Sequence, residues 1–250
     1  MGEQTSYSLS EAVSENTSGI ELSYYTQSEF NKVTQASISK KDKAILFADL
    51  ARYNTLYMIA KAGSGHLGSS FSSMDIVTWI YLNILKESDR YFSSKGHDAP
   101  GLYSIQTALN ILPFEKIHQL RRLNGLTGHP DVHTPGSHTN TGSLGMGVSK
   151  AKGFIYGDNF FNEKNSEVFV LTGDGELQEG HFWESLVSLA NRPTNRITVI
   201  VDHNKIQSDT YVKDVSDLGD LEAKFKAFGW DVLKIDGHDI DIIDSSLVSR

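Results

Sequence analysis

Two oxygen-bearing side chains stand directly after apolar segments of this chain, in positions suited to binding a metal ion. Asp174 follows the apolar run at 168–171, and Asn204 follows the run at 197–201, 204 − 174 = 30 residues later. Because the carboxyl ends of parallel strands meet at one edge of a sheet, where ligands bind, we expect both side chains there. A carboxylate and an amide oxygen suit Mg²⁺ or Ca²⁺. The glycines on either side of Asp174 would let a phosphate approach the main chain.

Three histidines lie among glycines in three separate segments. His66 lies in GSGHLG, His97 in SKGH and His129 in GHP, and a glycine-rich stretch follows at 142–147. One histidine beside a glycine is usually a structural residue, and one glycine-rich stretch either cradles a phosphate or packs a helix against a strand. Imidazole exchanges protons near neutral pH. Together with Asp174, the three histidines therefore favour a cleft that binds phosphate or sugar hydroxyls and moves protons.

Composition excludes several classes of protein. The 250 residues are 39% apolar, which is enough for one large α/β domain or two small ones. The net charge of −8 argues against nucleic acid as the main partner. No run of 18 apolar residues predicts a membrane span, and the first residues do not resemble a signal peptide. The chain has no cysteine, which fits a reducing compartment, and we expect a cytoplasmic protein.

The pattern of apolar residues divides the chain into an extension and a domain. Residues 1–40 are rich in Ser, Thr, Gln and Glu and predict an extension, partly disordered or wrapped around a partner, with a short helix near 24–33. Residues 41–250 predict one α/β domain. Its predicted helices cover 43–63, 74–85, 144–156, 224–228 and 240–248, and two more begin near Pro100 and Pro113. Strands are predicted at 168–171, 197–201 and 230–235, with a strand or turn in 89–97 and loops at 63–70 and 125–143. This alternation predicts a three-layer α/β/α fold with a mostly parallel sheet.

Five segments carry a family resemblance. They read, in order, GSGHLGSS, SKGHDAPGLYS, GHPDVHTPGSHTNTGSLGMGVSKAKG, GDGELQEGHFWE and VDHNKIQSD. Their order over roughly residues 45–240 resembles the N-terminal, diphosphate-binding domain of transketolase, which has the thiamine-diphosphate-binding fold. In relatives a further strand and a histidine loop end this domain, and we expect that region to be missing from 41–250.

The resemblance implies a role for each matching residue. Asp174, Asn204 and the main-chain carbonyl of Ile206 resemble the ligands of the metal ion that holds the cofactor's diphosphate. Catalytic roles in hydroxyl recognition and proton transfer fall to His66, His97 and His129. The positions that resemble cofactor-binding residues are His97, Gly142, Ser143, Leu144, Gly173, Asp174, Gly175, Glu176, Asn204 and Ile206. Glu179 and Glu184 resemble acidic residues that link cofactor sites across a dimer interface, although an exposed helix face explains them equally well.

The resemblance also implies an activity and a partner. Transketolases use thiamine diphosphate to move a two-carbon ketol unit from a ketose, often a ketose phosphate, to an aldehyde. The glutamate that activates the cofactor belongs to a second, pyrimidine-binding domain, which this sequence lacks. We therefore expect one subunit of a split transketolase, in an α₂β₂ assembly with a partner that carries that domain. A fragment of a longer protein or an inactive relative would also lack it. The split enzyme is favoured because both Asp174 and Asn204 are present.

Departures from the family pattern and competing families leave the substrate open. Leu67 stands where the family has proline, and Ser143 and Met146 replace the proline and glutamine of its GPLGQG segment. We expect these changes to alter which sugar is bound more than they alter cofactor binding. The α subunit of a 2-oxoacid dehydrogenase or a deoxyxylulose-phosphate synthase would also carry GDG and a later asparagine, but the SKGH and GHP loops favour transketolase. A non-catalytic binding or scaffold subunit is the alternative from another class.

Overall fold

A parallel sheet lies at the centre of the fold. A computed structural model of the chain describes residues 12–17, 19–162, 166–191 and 194–248. The sheet has the order β3-β4-β5, and the register pairs Ser93 with Leu171 and Gly173 with Asp202. In chain order the strands are β1 (Val13–Thr17), β2 (Ile20–Tyr24), β3 (Arg90–Ser93), β4 (Val168–Gly173), β5 (Ile197–Asp202), β6 (Ile206–Gln207) and β7 (Thr210–Tyr211).

Helices cover both faces of this sheet, which confirms the predicted three-layer α/β/α fold. They are α1 (Gln27–Gln35), α2 (Lys40–Ala62), α3 (Leu67–Ser72), α4 (Met74–Trp79), α5 (Ala99–Ala108), α6 (Gly147–Phe160), α7 (Gly180–Ala190), α8 (Val212–Val215), α9 (Leu221–Ala227) and α10 (Ile240–Val248). Successive side chains of a strand point to opposite faces. In β4, Phe169 and Leu171 therefore pack with α2, α4, α5 and α10, whereas Val168 and Val170 pack with α6, α7 and α9.

The long helix α2 leads directly to the first histidine segment. Ser39 caps its start, because the Ser39 hydroxyl accepts a hydrogen bond from the Asp42 N–H at 3.0 Å. Gly63 ends it in the left-handed conformation, with φ +69°, as is common for a glycine that terminates a helix. His66 follows three residues later, just before α3. The predicted loop at 63–70 is thus shorter than expected, since its second half forms α3.

Two other segments differ from the sequence-based prediction. The helix predicted from Pro113 is a 3₁₀ helix at Phe114–Gln119. The strand predicted at 230–235 is wrong, because this extended segment pairs with no strand in the described part of the chain. Trp230 and Val232 pack on one face of the sheet and Ile235 on the other, while Leu233 is 66% exposed. Because buried and exposed residues alternate along this extended segment, its sequence shows the same two-residue period as a strand.

The described part of residues 1–40 packs on the domain. Strands β1 and β2 form an antiparallel hairpin, and Tyr24 at its end lies 4.9 Å from Tyr57 of α2 between ring centroids. In α1, Phe30 and Val33 are fully buried in the core that includes α2. The predicted helix near 24–33 therefore exists as α1, and this part of the extension covers the chain's own core. The expectation of disorder for residues 1–11 lies outside the described residues.

Among the helices in the described ranges, none is both long and apolar enough to cross a membrane.

Candidate active site

The loops that end β4 and β5 meet at Asp174. Its carboxylate accepts hydrogen bonds from the Gly175 N–H at 2.9 Å and from the Lys205 N–H at 2.6 Å. The Asp174 N–H in turn donates to the carbonyl of Asp202 at 3.2 Å. Asp174 is only 2% exposed, and burial raises the pKa of its carboxyl, although the two main-chain donors oppose that effect. The structure thus brings together the two loops that the sequence predicted to bind one metal ion.

Asn204 is held in a defined orientation in the second loop. Its amide oxygen accepts a hydrogen bond from the Ile206 N–H at 2.9 Å, and its Nδ2 donates to the Ser72 hydroxyl at 3.4 Å. Lys205 between them has φ +68°, which turns the chain sharply beside Asp174. Asn204 and the exposed Ile206 therefore lie next to Asp174 on the same edge of the sheet.

These oxygen donors fit a hard divalent cation. Within the described ranges, no three His, Cys, Asp or Glu side chains form a metal cluster. The donors at this edge are of another kind, namely one carboxylate, one amide oxygen and the main-chain carbonyl of Ile206. Each of these oxygens can accept more than one hydrogen bond or metal bond. Mg²⁺ prefers such oxygens and completes its shell with water and phosphate oxygens.

Some buried polar atoms near this edge have no hydrogen-bond partner among the described residues. They include the hydroxyl of Ser69, near the start of α3, and the amide oxygen of Gln207, which packs against Gly175. Buried polar groups are normally hydrogen-bonded, so an unpaired one requires an explanation. A bound phosphorylated group with its metal and water would supply partners, which is consistent with the donor set described above.

The three histidines lie close together, and we call the region between their loops the cleft. The rings of His66 and His97 are 4.9 Å apart, and His97 Nδ1 lies 3.0 Å from the carbonyl of Lys95. Burial lowers the pKa of His97. His129 packs against Gly142, where an added Cβ would lie 2.7 Å from the imidazole Cδ2. Burial lowers the pKa of His129 as well, and the charge of Arg121 adds to that effect.

The glycine-rich segment closes the same cleft. Gly142 has φ +87°, and its N–H donates to the carbonyl of Ser94 at 3.4 Å. Ser143 and Leu144 follow it, and both are exposed. The segment that was predicted to line the cofactor therefore joins the SKGH loop and leaves two of its residues open to a ligand.

Comparison with known proteins places this geometry in a family. Residues 44–249 match the family model described as the transketolase, thiamine diphosphate binding domain. The chain belongs to the transketolase family. It is 35% identical over 211 residues to the 6-deoxy-6-sulfo-D-fructose transketolase subunit SqwG of Clostridium sp. (strain MSTE9), covering 80% of this chain and 76% of that protein. It is 34% identical over 196 residues to one of the subunits of apulose-4-phosphate transketolase from Actinobacillus succinogenes, covering 74% and 71%.

Structural similarity agrees with this assignment. Transketolase from Campylobacter jejuni superposes with a TM-score of 0.74 and 29% identity, covering 81% of this chain and 34% of that one. This chain therefore spans about a third of a single-chain transketolase, but most of the length of the transketolase subunits named above. It contains the thiamine diphosphate binding domain of the family and is similar, over most of their length, to proteins named as transketolase subunits.

Within this transketolase domain, Glu176 lies buried beside the cleft. It is 2% exposed, and its oxygens accept hydrogen bonds from the Ser94 hydroxyl, from the Gly145 N–H at 2.8 Å and from the Gly173 N–H at 3.3 Å. Burial raises the pKa of this carboxyl. Glu176 thus joins three loops from the interior, whereas the sequence-based prediction assigned it to cofactor binding.

Sequence reasoning missed Lys95 and Asp202. Lys95 is 2% exposed, and its ammonium donates to Asp202 at 2.9 Å and to the carbonyl of Ser69 at 3.0 Å, with Asp98 3.6 Å away. The Ser72 hydroxyl also donates to Asp202, at 2.6 Å. These contacts connect the loops of His66, His97 and Asn204. A lysine within SKGH and an aspartate at a strand end were the only available signals.

The two acidic residues predicted at a dimer interface lie at α7. Glu179 directly precedes this helix and its side chain packs against Gly145, while Glu184 is 80% exposed beside His181 at 3.8 Å. An interface role for both residues stays a prediction.

Proposed function

We propose that this subunit holds thiamine diphosphate through Mg²⁺ at the edge formed by Asp174, Asn204 and the Ile206 carbonyl. The observation that carries the proposal is the hydrogen bond from Lys205 to Asp174, which joins the two loops that bear these oxygens. The main chain at Gly173 and Gly175, and the side chain of His97, would face the diphosphate. Gly142, Ser143 and Leu144 would line the rings.

Thiamine diphosphate supplies the carbanion and electron sink needed to break and form a bond next to a ketose carbonyl. The protein positions the reactants and moves protons. Because burial lowers the pKa of His97 and His129, their imidazoles are neutral at pH 7 and are able to accept a proton from a sugar hydroxyl. His66, next to His97, would share this role. Glu176 and Lys95 would keep the loops in place from below.

The complete reaction requires a partner subunit. We infer that the partner carries the pyrimidine-binding domain with its activating glutamate, and that the pair forms an α₂β₂ assembly. The reaction is transfer of a two-carbon ketol unit from a ketose to an aldehyde. This chain is similar to proteins named as transketolase subunits over most of their length, which supports an active site divided between two subunits.

The same relatives support a proposal for the substrate class. Their names refer to 6-deoxy-6-sulfo-D-fructose and to apulose 4-phosphate, which are both sugars with an anionic group. We propose a sugar or sugar phosphate for this subunit too, with Leu67 and Met146 shaping a preference that differs from common transketolases. A cytoplasmic location completes the proposal, supported by the absence of cysteine from the sequence.

The test uses the complex with its partner subunit. Calorimetry with thiamine diphosphate should show binding that depends on Mg²⁺, and xylulose 5-phosphate should serve as ketol donor to an aldose. Pyruvate decarboxylation without ketol transfer would instead identify a 2-oxoacid type of enzyme. A complex that does not bind the cofactor would contradict the enzymatic role and leave the binding or scaffold function.

A further inference from the structure

Arg121 connects the segment of one cleft histidine to that of another. Its Nη1 donates to the Ser64 hydroxyl at 2.9 Å, and Ser64 stands two residues before His66. On its other side the guanidinium lies over Gly128, where an added Cβ would be 3.0 Å from Arg121 Nε. His129 is the next residue. One side chain therefore touches both segments that enter the cleft from this side.

The main chain holds Arg121 in place for these contacts. Its N–H donates to the carbonyl of Leu126 at 2.7 Å, and the Leu126 N–H donates to the carbonyl of Gln119 at 2.9 Å. Leu120 and Leu126 are both buried in the core below. Arg121 itself has φ +54°, a conformation that is unfavourable for a residue with a side chain. A tight loop anchored in the core thus directs this guanidinium across the two segments.

We propose that Arg121 is a positioning residue that sets the placement of His66 relative to His129 through Ser64 and Gly128. This role rests on the proposed function, since it concerns the same cleft. No carboxylate in the described part of the chain forms an ion pair with Arg121, so the guanidinium is not committed to a salt bridge there.

The positive charge of Arg121 also acts on the pKa of His129. Burial, the charge of Arg121 and the neighbouring His66 lower the pKa of His129, and Asp98 raises it. Loss of the guanidinium should therefore raise the pKa of His129 toward its ordinary value. A residue that only stabilised the fold would not produce this change.

Three variants separate these effects. Arg121→Gln removes charge and contacts, Arg121→Lys keeps the charge without the planar fork, and Ser64→Ala removes one contact and no charge. Arg122→Gln is the matched control, because the neighbouring Arg122 is also exposed but donates to the carbonyl of Lys61, at 3.2 Å, within α2. All four are compared in the full chain with its partner.

Three readouts test the proposal. Amide hydrogen exchange at 63–66 and 127–129 should accelerate in Arg121→Gln, Arg121→Lys and Ser64→Ala. NMR titration should show a raised His129 pKa in Arg121→Gln but not in Arg121→Lys. In the ketol-transfer assay, kcat/KM should fall at least about tenfold for Arg121→Gln, because small displacements of catalytic groups cost rate steeply.

The control variant, Arg122→Gln, should match the unsubstituted complex in all three readouts. If Arg121→Gln and Ser64→Ala exchange like the control, and the pKa of His129 does not move, the proposal is wrong. Exchange and titration are measured without cofactor, so they decide the role of Arg121 even if the complex fails to bind thiamine diphosphate, which would contradict the proposed function instead.

Discussion

Gly96 and Gly142 approach so closely that a Cβ on Gly96 would lie 2.6 Å from the Gly142 nitrogen. The same Cβ would lie 2.8 Å from the His129 ring, and Gly96 has φ +68°. The SKGH loop, the glycine-rich segment and the GHP segment thus meet at one point where only hydrogen atoms fit. This contact holds the three segments close together beside His97.

Replacement of Gly96 by alanine should separate these loops. The left-handed conformation costs a residue with a Cβ about 1–2 kcal/mol, and the clash with main-chain atoms adds to that cost. We expect the complex to lose thiamine-diphosphate affinity by about tenfold or more, measured by calorimetry. Gly63→Ala is a matched control, because Gly63 has φ +69° with open space around it. Gly63→Ala should lose a similar free energy of unfolding from the strained backbone but should retain cofactor affinity. Equal cofactor affinities for the two variants would contradict the steric explanation.

Asp174→Ala should abolish Mg²⁺-dependent cofactor binding. The change removes the carboxylate and leaves the N–H groups of Gly175 and Lys205 without their acceptor. We expect the loops after β4 and β5 to separate, with a loss of about 1–3 kcal/mol in the free energy of unfolding. Calorimetry and urea denaturation measure the two effects. Asp231→Ala, at an exposed position, should change neither. Unchanged cofactor affinity in Asp174→Ala would refute its assignment as a ligand.

Stability should fall as the pH drops below the ordinary histidine pKa of 6.5. Burial lowers the pKa of His97 and of His129, so the folded state takes up these protons less readily than the unfolded state. The contribution of these two neutral imidazoles to the free energy of unfolding is complete above the ordinary histidine pKa. It is lost as the pH falls from that value toward the lower pKa of the folded state. Thermal unfolding across this range measures the slope. His97→Gln should flatten it, whereas His133→Gln, at an exposed position, should not. An identical slope in both variants would contradict the prediction.

Tyr24→Ala should loosen the N-terminal hairpin. The Tyr24 ring lies 4.9 Å from Tyr57 and 5.0 Å from His118 between ring centroids. The Tyr57 hydroxyl donates to Glu15 at 2.8 Å, on the first strand of the hairpin. Because the ring is partly buried, its removal should cost about 2 kcal/mol in urea denaturation. Tyr24→Phe keeps the ring and should be close to neutral. A neutral Tyr24→Ala would show that the hairpin does not dock through this contact.

The main elements of the fold could be predicted because their signals are local. The apolar runs before Asp174 and Asn204 are long enough to be recognised as strands, and parallel pairing then follows from the helices between them. The hairpin at 13–24 was not predicted, because its residues are mostly polar and do not alternate clearly between apolar and polar. Its position depends on Tyr57 and His118, which are distant in the sequence and therefore invisible to a local pattern.

What the sequence alone determined is the set of oxygen and imidazole groups and their place at the ends of strands and in glycine-containing loops. What only the tertiary structure decided is which of those groups faces the cleft. Asp174 and Glu176 are two residues apart and equally buried, yet Asp174 accepts from Lys205 in the loop after β5, whereas Glu176 accepts hydrogen bonds from Ser94 and Gly145. Those donors lie 82 and 31 residues away along the chain. The direction of a side chain at such a turn depends on partners that only folding brings near, since a buried carboxylate must find its donors wherever they lie.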